Sequence, residues 1–207
     1  MPNTTLKTQW LEASQKWTAD LATATYWIDE LFTCYQHKNR HYHDLSHIVQ
    51  ILAITETCRE LIQCPDSMFF ATWFHDAVQK MSVDNEGKSA ELAQQALAEL
   101  AVPQDIIDRT VQLILATKTH DADVANPDVG YFIDCDLSIL GADWPDYERY
   151  ADGCSKEYKV PNFLYRRGRK KFMTQLLQKP QLFQTEYFRA KFETTARENI
   201  QREIDLL

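Results

Sequence analysis

The sequence predicts an all-α protein, a single domain of roughly eight to ten helices. Its 5 glycines and 7 prolines occur singly, and the segments between them have helical length. Apolar residues recur in those segments at a spacing of three and four, which is typical of amphipathic helices. We find no strict alternation of apolar and polar residues, and no Asn-Gly or Asp-Gly pair between two strand-like runs. These observations exclude a β-sheet protein.

Apolar stripes define three helices in the first two thirds of the chain. A helical segment buries such a stripe against its neighbours and exposes its other face. The stripes consist of Leu45, Ile48, Leu52, Thr55 and Ile62; of Leu92, Ala93, Ala96, Leu97 and Leu100; and of Ile106, Ile107, Val111, Ile114 and Leu115.

Composition restricts the function classes. The chain has 207 residues with 44% hydrophobic and 25% charged residues, which fits one globular core. A formal net charge of −8 disfavours nucleic acid as a partner. The 5 cysteines are odd in number and form no C-x-x-C pair, so we expect free thiols in a reducing compartment. Without a signal-like leader or a membrane span, we expect a cytoplasmic protein with no membrane partner.

One predicted helix, Met68–Phe74, is apolar on nearly every face and is followed by His75-Asp76. Such a helix is buried on most sides. Burial of an unpaired imidazole or carboxylate costs several kcal/mol, so a partner must satisfy both groups. Together they are suitable ligands for a first-row divalent metal. The alternative is a buried histidine hydrogen-bonded by the neighbouring aspartate.

All 6 histidines precede residue 121, and four of them lie between His37 and His47. His43 and His47 are four residues apart, so on a helix they would share one face and could converge on one ion. Core-type residues flank His47, which favours a buried position. For His37 and His41 a solvent-exposed position is the simpler interpretation.

Two acidic residues, Asp134 and Asp136, lie in an otherwise apolar, helix-like stretch. Two residues turn a helix through about 200°, so both carboxylates cannot face solvent. We therefore expect one of them to point inward, towards a cation. The alternative is that Asp134 caps the helix and Asp136 is merely exposed.

These motifs resemble the HD-domain superfamily of metal-dependent phosphohydrolases, whose ligands follow the order histidine, His-Asp, distant aspartate. The nearer match is a small bacterial family of predicted HD phosphohydrolases with a Y-H-x-x-x-H-I opening. The resemblance runs from about Leu31 onward and rests on Tyr42–Ile48, Trp73–Val78, Asn85-Glu86 with Ser89-Ala90, Asp136-Leu137 with Leu140-Gly141, Glu157-Tyr158, Tyr165 with Gly168-Arg169, and Ala196–Asn199.

The resemblance implies an HD-type helical bundle over the whole chain, residues 1–207. The metal-ligand core would span about 31–141 and the C-terminal helices about 143–205. It also implies one divalent ion (Mn, Fe, Co, Ni, Zn or Mg), bound by His47, His75, Asp76 and Asp136. The implied activity is hydrolysis of a phosphoester, such as a nucleotide or another small phosphorylated metabolite, by a metal-activated water.

Five further residues are candidates for catalysis or substrate binding. His43 could orient or protonate the leaving group, and Glu86 could act as general base or simply belong to an acidic first helical turn. Lys156, Arg169 and His120 could bind substrate. The alternatives are a solvated face for the basic run Tyr165–Lys171 and a core or surface position for His120.

The chain departs from the family pattern at Lys156, where an arginine is usual, and at Gln79-Lys80, where Tyr-Asp is usual. It lacks the motifs of cyclic-dinucleotide phosphodiesterases and alarmone hydrolases, which disfavours those substrates. Two other functions compete: a metal-binding module without turnover, and a diiron oxygenase. The oxygenase would need additional imidazoles between His75 and His120, and the sequence has none there.

Overall fold

The all-α prediction is confirmed by the computed structural model, which describes residues 2–80, 84–120, 122, 125–158 and 160–207. Within these residues no strand is present, and two short 3-10 helices occur at Arg59–Leu61 and Ser138–Gly141. The α-helices are α1 (Pro2–Ser14), α2 (Leu21–Tyr35), α3 (Leu45–Thr57), α4 (Pro65–Phe74), α5 (Asn85–Glu99), α6 (Gln104–Ala116), α7 (Pro127–Leu137), α8 (Trp144–Glu157), α9 (Asn162–Leu177) and α10 (Glu186–Leu206).

Short polar side chains start most of these helices. Asp44 accepts a hydrogen bond from the backbone N–H of Ser46 and so caps α3. The same type of cap starts α2, α5, α7, α8 and α10, at Asp20, Asp84, Asn126, Asp143 and Thr185. Each cap satisfies an N–H that has no partner inside its helix. The third apolar stripe lies within α6. Ile62, the last residue of the first stripe, lies beyond the end of α3, because the helix gives way there to a 3-10 turn.

Helix α4 is the centre of the core. Phe70, Trp73 and Phe74 are fully buried. Trp10 of α1 packs against the aromatic rings of α4 at centroid distances between 5.8 and 6.4 Å, and its indole N–H donates to the backbone oxygen of Ala24. The apolar character on nearly every face, noted in the sequence, follows from this position among other helices.

Helix α10 packs against the 3-10 turn at Ser138–Gly141. The side-chain amide of Asn199 donates to the backbone oxygens of Leu140 and Ala142, at 2.9 and 2.8 Å. A Cβ atom at Gly141 would lie 2.6 Å from Cβ of Phe192, so no larger residue fits there without movement of α10. This contact fixes the chain directly after α7.

None of the described helices is long and apolar enough to cross a bilayer. All 5 cysteines are free thiols, of which Cys58, Cys135 and Cys154 are buried.

We expect Phe70→Ala to lower the free energy of unfolding by about 3–5 kcal/mol, because it leaves a cavity beside Trp10. Phe163→Ala is the matched control: Phe163 is 70% exposed, so the same truncation should change stability by less than about 0.5 kcal/mol. Chemical denaturation measures both. Equal losses would contradict the assignment of α4 as the central helix.

Candidate metal centre

Four side chains from three parts of the chain meet at the end of α4. His47 comes from the first turn of α3, Asp136 from the last turn of α7, and His75 and Asp76 directly follow α4. His47 and His75 are almost completely buried, whereas the side chains of Asp136 and Asp76 are 17% and 31% exposed. The structure thus brings together the four residues that the resemblance implies as ligands.

The polar atoms of these residues point at one another. Nε2 of His47 lies 3.2 Å from Nε2 of His75 and 3.2 Å from Oδ1 of Asp136. Oδ2 of Asp76 lies 3.2 Å from Nε2 of His75 and 3.8 Å from Nε2 of His47. Ligand atoms of His47, His75 and Asp136 all lie within 4.8 Å of one another, so this group could hold a metal ion.

The spacing fits a single small cation. Metal–ligand bonds of about 2.0–2.2 Å place adjacent ligands about 2.8–3.1 Å apart around an octahedral ion and about 3.3–3.6 Å apart around a tetrahedral ion, a combined range of about 2.8–3.6 Å. The observed 3.2–3.8 Å separations are close to this range. Imidazole nitrogen with carboxylate oxygen is also a donor set that divalent transition metals accept.

Hydrogen bonding prepares His75 as a ligand. Its Nδ1–H donates to the backbone oxygen of Thr72 at 2.9 Å, which turns the Nε2 lone pair towards the cluster. Nδ1 of His47, by contrast, is buried without a hydrogen-bond partner among the described residues. The outer contacts therefore fix the ring orientation of His75 more firmly than that of His47.

The electrostatics of the cluster favour positive charge. Burial alone lowers the pKa of His75, but the carboxylates of Asp76 and Asp136 outweigh it and raise that pKa to about 9. Burial raises the pKa of Asp76, yet the neighbouring histidines hold it well below its usual range. Without a metal, His75 is thus protonated and its positive charge faces these carboxylates. A divalent cation in the same place would satisfy them as well.

His43 lies beside the cluster and is held by Glu157, for which the sequence predicted no role beyond the Glu157-Tyr158 match to the family pattern. Nδ1 of His43 donates to Oε2 of Glu157 at 2.5 Å, and Nε2 of His43 lies 3.9 Å from Oδ2 of Asp76. Burial lowers the pKa of His43, but Asp76 and Glu157 outweigh it and raise the pKa. His43 precedes α3, so the two histidines approach each other through a turn and not along one helix face.

Glu157 also organises the backbone before α3. Its Oε1 accepts hydrogen bonds from the N–H groups of His41, Tyr42 and His43 at 2.7–3.0 Å. Burial raises the pKa of Glu157, but His43 and these backbone donors lower it far more. The carboxylate is therefore ionised at neutral pH and fixes both the ring and the backbone of His43.

Two further contacts hold this segment in place. A Cβ at Gly153 would lie 2.8 Å from the backbone oxygen of His41, so the missing side chain lets α8 approach closely enough for Glu157, one turn on, to reach its partners. The guanidinium of Arg40 donates to the backbone oxygens of His43, Asp76 and Ala77. Arg40 thereby joins the His43 segment to the His75-Asp76 segment.

Asp134 points away from the cluster. Its carboxylate accepts hydrogen bonds from the N–H groups of Gln184 and Thr185 and from the Thr185 hydroxyl, each at 2.7 Å. Burial raises the pKa of Asp134 to about 6 against the effect of these donors. Both aspartates are thus turned inward on opposite sides of α7: Asp136 to the metal cluster and Asp134 to the start of α10.

Glu86 and His120 lie outside the four-residue cluster. Glu86 belongs to the first turn of α5, and that turn is tied to the chain after Asp76, since Asn85 and Ser89 accept from the N–H groups of Lys80 and Val78. His120 follows α6 with a φ of 54°, and its backbone oxygen accepts from Gln184. Catalysis by Glu86 and substrate binding by His120 stay predictions.

Arg169 and Lys156 are both engaged with acidic residues. Arg169 is nearly buried, forms two hydrogen bonds with Glu203 at 2.8 and 3.2 Å and lies over the ring of Tyr150. Lys156 is exposed and pairs with Asp152. In the basic run, Arg166, Arg167, Lys170 and Lys171 are exposed. Phosphate binding by Arg169 or Lys156 stays a prediction, and for Arg169 it would require exchange of its Glu203 contact.

No family model, curated protein or solved structure matches this chain at a significant level.

We expect Asp136→Asn to abolish the binding of one ion per chain, because the ligand loses its charge. The double variant His75→Ala, Asp76→Ala should lose the ion as well. Asp134→Asn should retain it, while losing about 1–3 kcal/mol of stability, because an amide N–H would face the donors at the start of α10. Elemental analysis and denaturation measure these outcomes. Loss of the ion from folded Asp134→Asn alone would show the opposite assignment of the two aspartates.

Glu157→Gln should lower the pKa of His43, because the protonated imidazole loses an ionised acceptor. It should also lower the free energy of unfolding by about 1–3 kcal/mol. Glu148→Gln, at an exposed position of the same helix, is the matched control. An NMR pH titration of the His43 ring in metal-free protein reads out the effect, and an unchanged His43 pKa would contradict the role of Glu157.

Proposed function

We propose that this protein is an HD-type, metal-dependent phosphohydrolase that acts in the cytoplasm on a small phosphorylated substrate. The observation that carries the proposal is the convergence of His47, His75, Asp76 and Asp136 on one point, with their polar atoms 3.2–3.8 Å apart. The same four residues, in the same order along the chain, match the ligand pattern of the HD superfamily. A metal-dependent hydrolase needs such a group together with a side open to substrate.

The exposure of the cluster supports a catalytic over a closed structural site. The two histidines lie on the protein side, while the side chains of Asp76, His43 and Asp136 are 31%, 26% and 17% exposed. On an octahedral ion, two imidazoles and two carboxylates would leave two coordination positions for water and a phosphate oxygen. A bound divalent ion would acidify a water and polarise the phosphoryl group.

The protein's own residues would act around that centre. His43 presents Nε2 at the edge of the cluster, 3.9 Å from Oδ2 of Asp76, and its Nδ1 donates to the carboxylate of Glu157, which favours the protonated ring. It is therefore suited to donate a proton to the leaving oxygen. Glu157 keeps the Nδ1–H bond and hence the ring orientation. Glu86, in the first turn of α5, is our candidate for the residue that orients the attacking water.

The test is a panel of phosphoesters assayed with Mn, Fe, Co, Ni, Zn and Mg. Wild-type protein should hydrolyse at least one ester with at least one metal. Loss of a general acid typically costs a factor of about 10²–10⁴, so His43→Ala should lower kcat by that amount while metal content stays intact. His37→Ala, at an exposed position six residues earlier, is the control and should retain activity.

Two results would reject the hydrolase. Stoichiometric metal binding without turnover of any ester would identify a metal-binding module. Dioxygen consumption by the Fe(II)-loaded protein, with no ester hydrolysis, would indicate the oxygenase class.

A further inference from the structure

A groove adjoins the candidate metal centre on the side of α3. Its volume is about 340 Å³, within the range of pockets that hold small organic molecules. It runs between α3 and the chain from the end of α7 to the start of α8. His47 and Asp136 form part of its wall, so a molecule bound at the metal centre could extend directly into it.

The wall of this groove is largely apolar and carries no cationic side chain among the described residues. None of the described residues that line it is a lysine or an arginine. Apart from Asp136, its one acidic residue is Asp146, which forms an ion pair with exposed Arg149. The remaining lining consists mainly of aliphatic and aromatic carbon with a few uncharged polar groups, supplied among others by Ile54, Ile139 and Phe192 and by Gln50, Thr57 and Ser138.

This lining opposes a second anionic group. A carboxylate or an additional phosphate placed in the groove would lose hydration, find no cation and face the carboxylates of Asp136 and Asp146. An uncharged group would instead bury apolar surface against the isoleucines and hydrogen-bond to Gln50, Thr57 or Ser138.

Resting on the proposed hydrolase function, we infer that the substrate is a phosphoester of an uncharged, partly apolar alcohol whose organic part lies in this groove. Polyphosphates and esters of carboxylated alcohols are then disfavoured. Selectivity comes from a wall that offers apolar surface and no cation, and the metal centre supplies the charge that binds the phosphate.

A matched pair of probes tests this inference with the metal-loaded full chain. Benzyl phosphate and 4-carboxybenzyl phosphate differ by one carboxylate far from the reacting bond. The uncharged probe should have a kcat/KM at least about tenfold higher. Ala142→Trp, which fills the groove, should lower kcat/KM for benzyl phosphate by at least about tenfold and leave methyl phosphate nearly unchanged. Ala98→Trp, on the exposed face of α5, is the control.

A binding measurement independent of turnover accompanies the kinetics. Line broadening of 4-fluorobenzylphosphonate in ¹⁹F NMR should report binding to wild-type protein and to Ala98→Trp, and its loss in Ala142→Trp. Ser138→Lys is a second variant that does not fill the groove. It should reduce the ratio of kcat/KM for benzyl phosphate to kcat/KM for 4-carboxybenzyl phosphate, because the lysine supplies a cation for the carboxylate.

The outcomes separate the two proposals. Equal kcat/KM values for the two benzyl esters, with no effect of Ala142→Trp, would overturn the groove assignment and leave the hydrolase intact. Absence of turnover for every ester, including methyl phosphate, would overturn the hydrolase and with it the substrate class. In that case, ¹⁹F binding that Ala142→Trp abolishes would identify the groove as a binding site without hydrolysis.

Discussion

The placement of two polar residues, buried His75 and partly buried Asp76, at the end of an apolar helix is the constraint on which the rest of this structure depends. Helix α4 is surrounded by aromatic side chains. His75 and Asp76 directly follow this helix and therefore lie next to the core. Unpaired, those groups would cost several kcal/mol. His47 and Asp136 point at the same place, and the four groups together favour the binding of a cation there.

The surrounding contacts serve to hold three distant segments at that point. Arg40 ties the chain before α3 to the chain after α4 through three backbone oxygens, and Glu157 binds the chain before α3 through three backbone N–H groups. Asp134 fixes the other face of α7 to the start of α10. Each anchor uses a charged group with several donors or acceptors, which specifies geometry more strictly than apolar packing does.

Much of this arrangement could be predicted from the sequence, whereas the rest depends on contacts between residues that are far apart in the chain. The apolar stripes predicted α5 and α6, and the polar pair after an apolar run pointed to His75 and Asp76. The residues alone predicted that one of Asp134 and Asp136 turns inward, with a capping Asp134 and an exposed Asp136 as the alternative; the selection of Asp136 came from the family resemblance. Glu157 was noted only as part of a Glu157-Tyr158 match to the family pattern, which gave it no role; its partners could not be predicted, because they lie 114–116 residues away. Gly153, one turn earlier on the same helix, was a further signal of close approach.

The pairing of Arg169 with Glu203 could not be predicted from the sequence either. A basic run at helical spacing gives no indication of which residue turns inward, and only the packing of α9 on α10 selects Arg169. The same limit applies to the groove, whose wall combines side chains of α3, α8 and α10 that no sequence motif connects.

The long reach of Glu157 has a consequence for the order in which the molecule can assemble during synthesis. The polypeptide emerges from the ribosome N-terminus first, and domains fold as their contacts become available. The three backbone N–H groups before α3 find their acceptor only when α8 has been made, since Glu157 is its last residue. Until then the His43 segment is held by Arg40 but not by Glu157, while His47, His75 and Asp136 have already been synthesised. The partners of Asp134, Gln184 and Thr185, are made later still, so the contacts that fix His43 form before those that fix α7 to the start of α10.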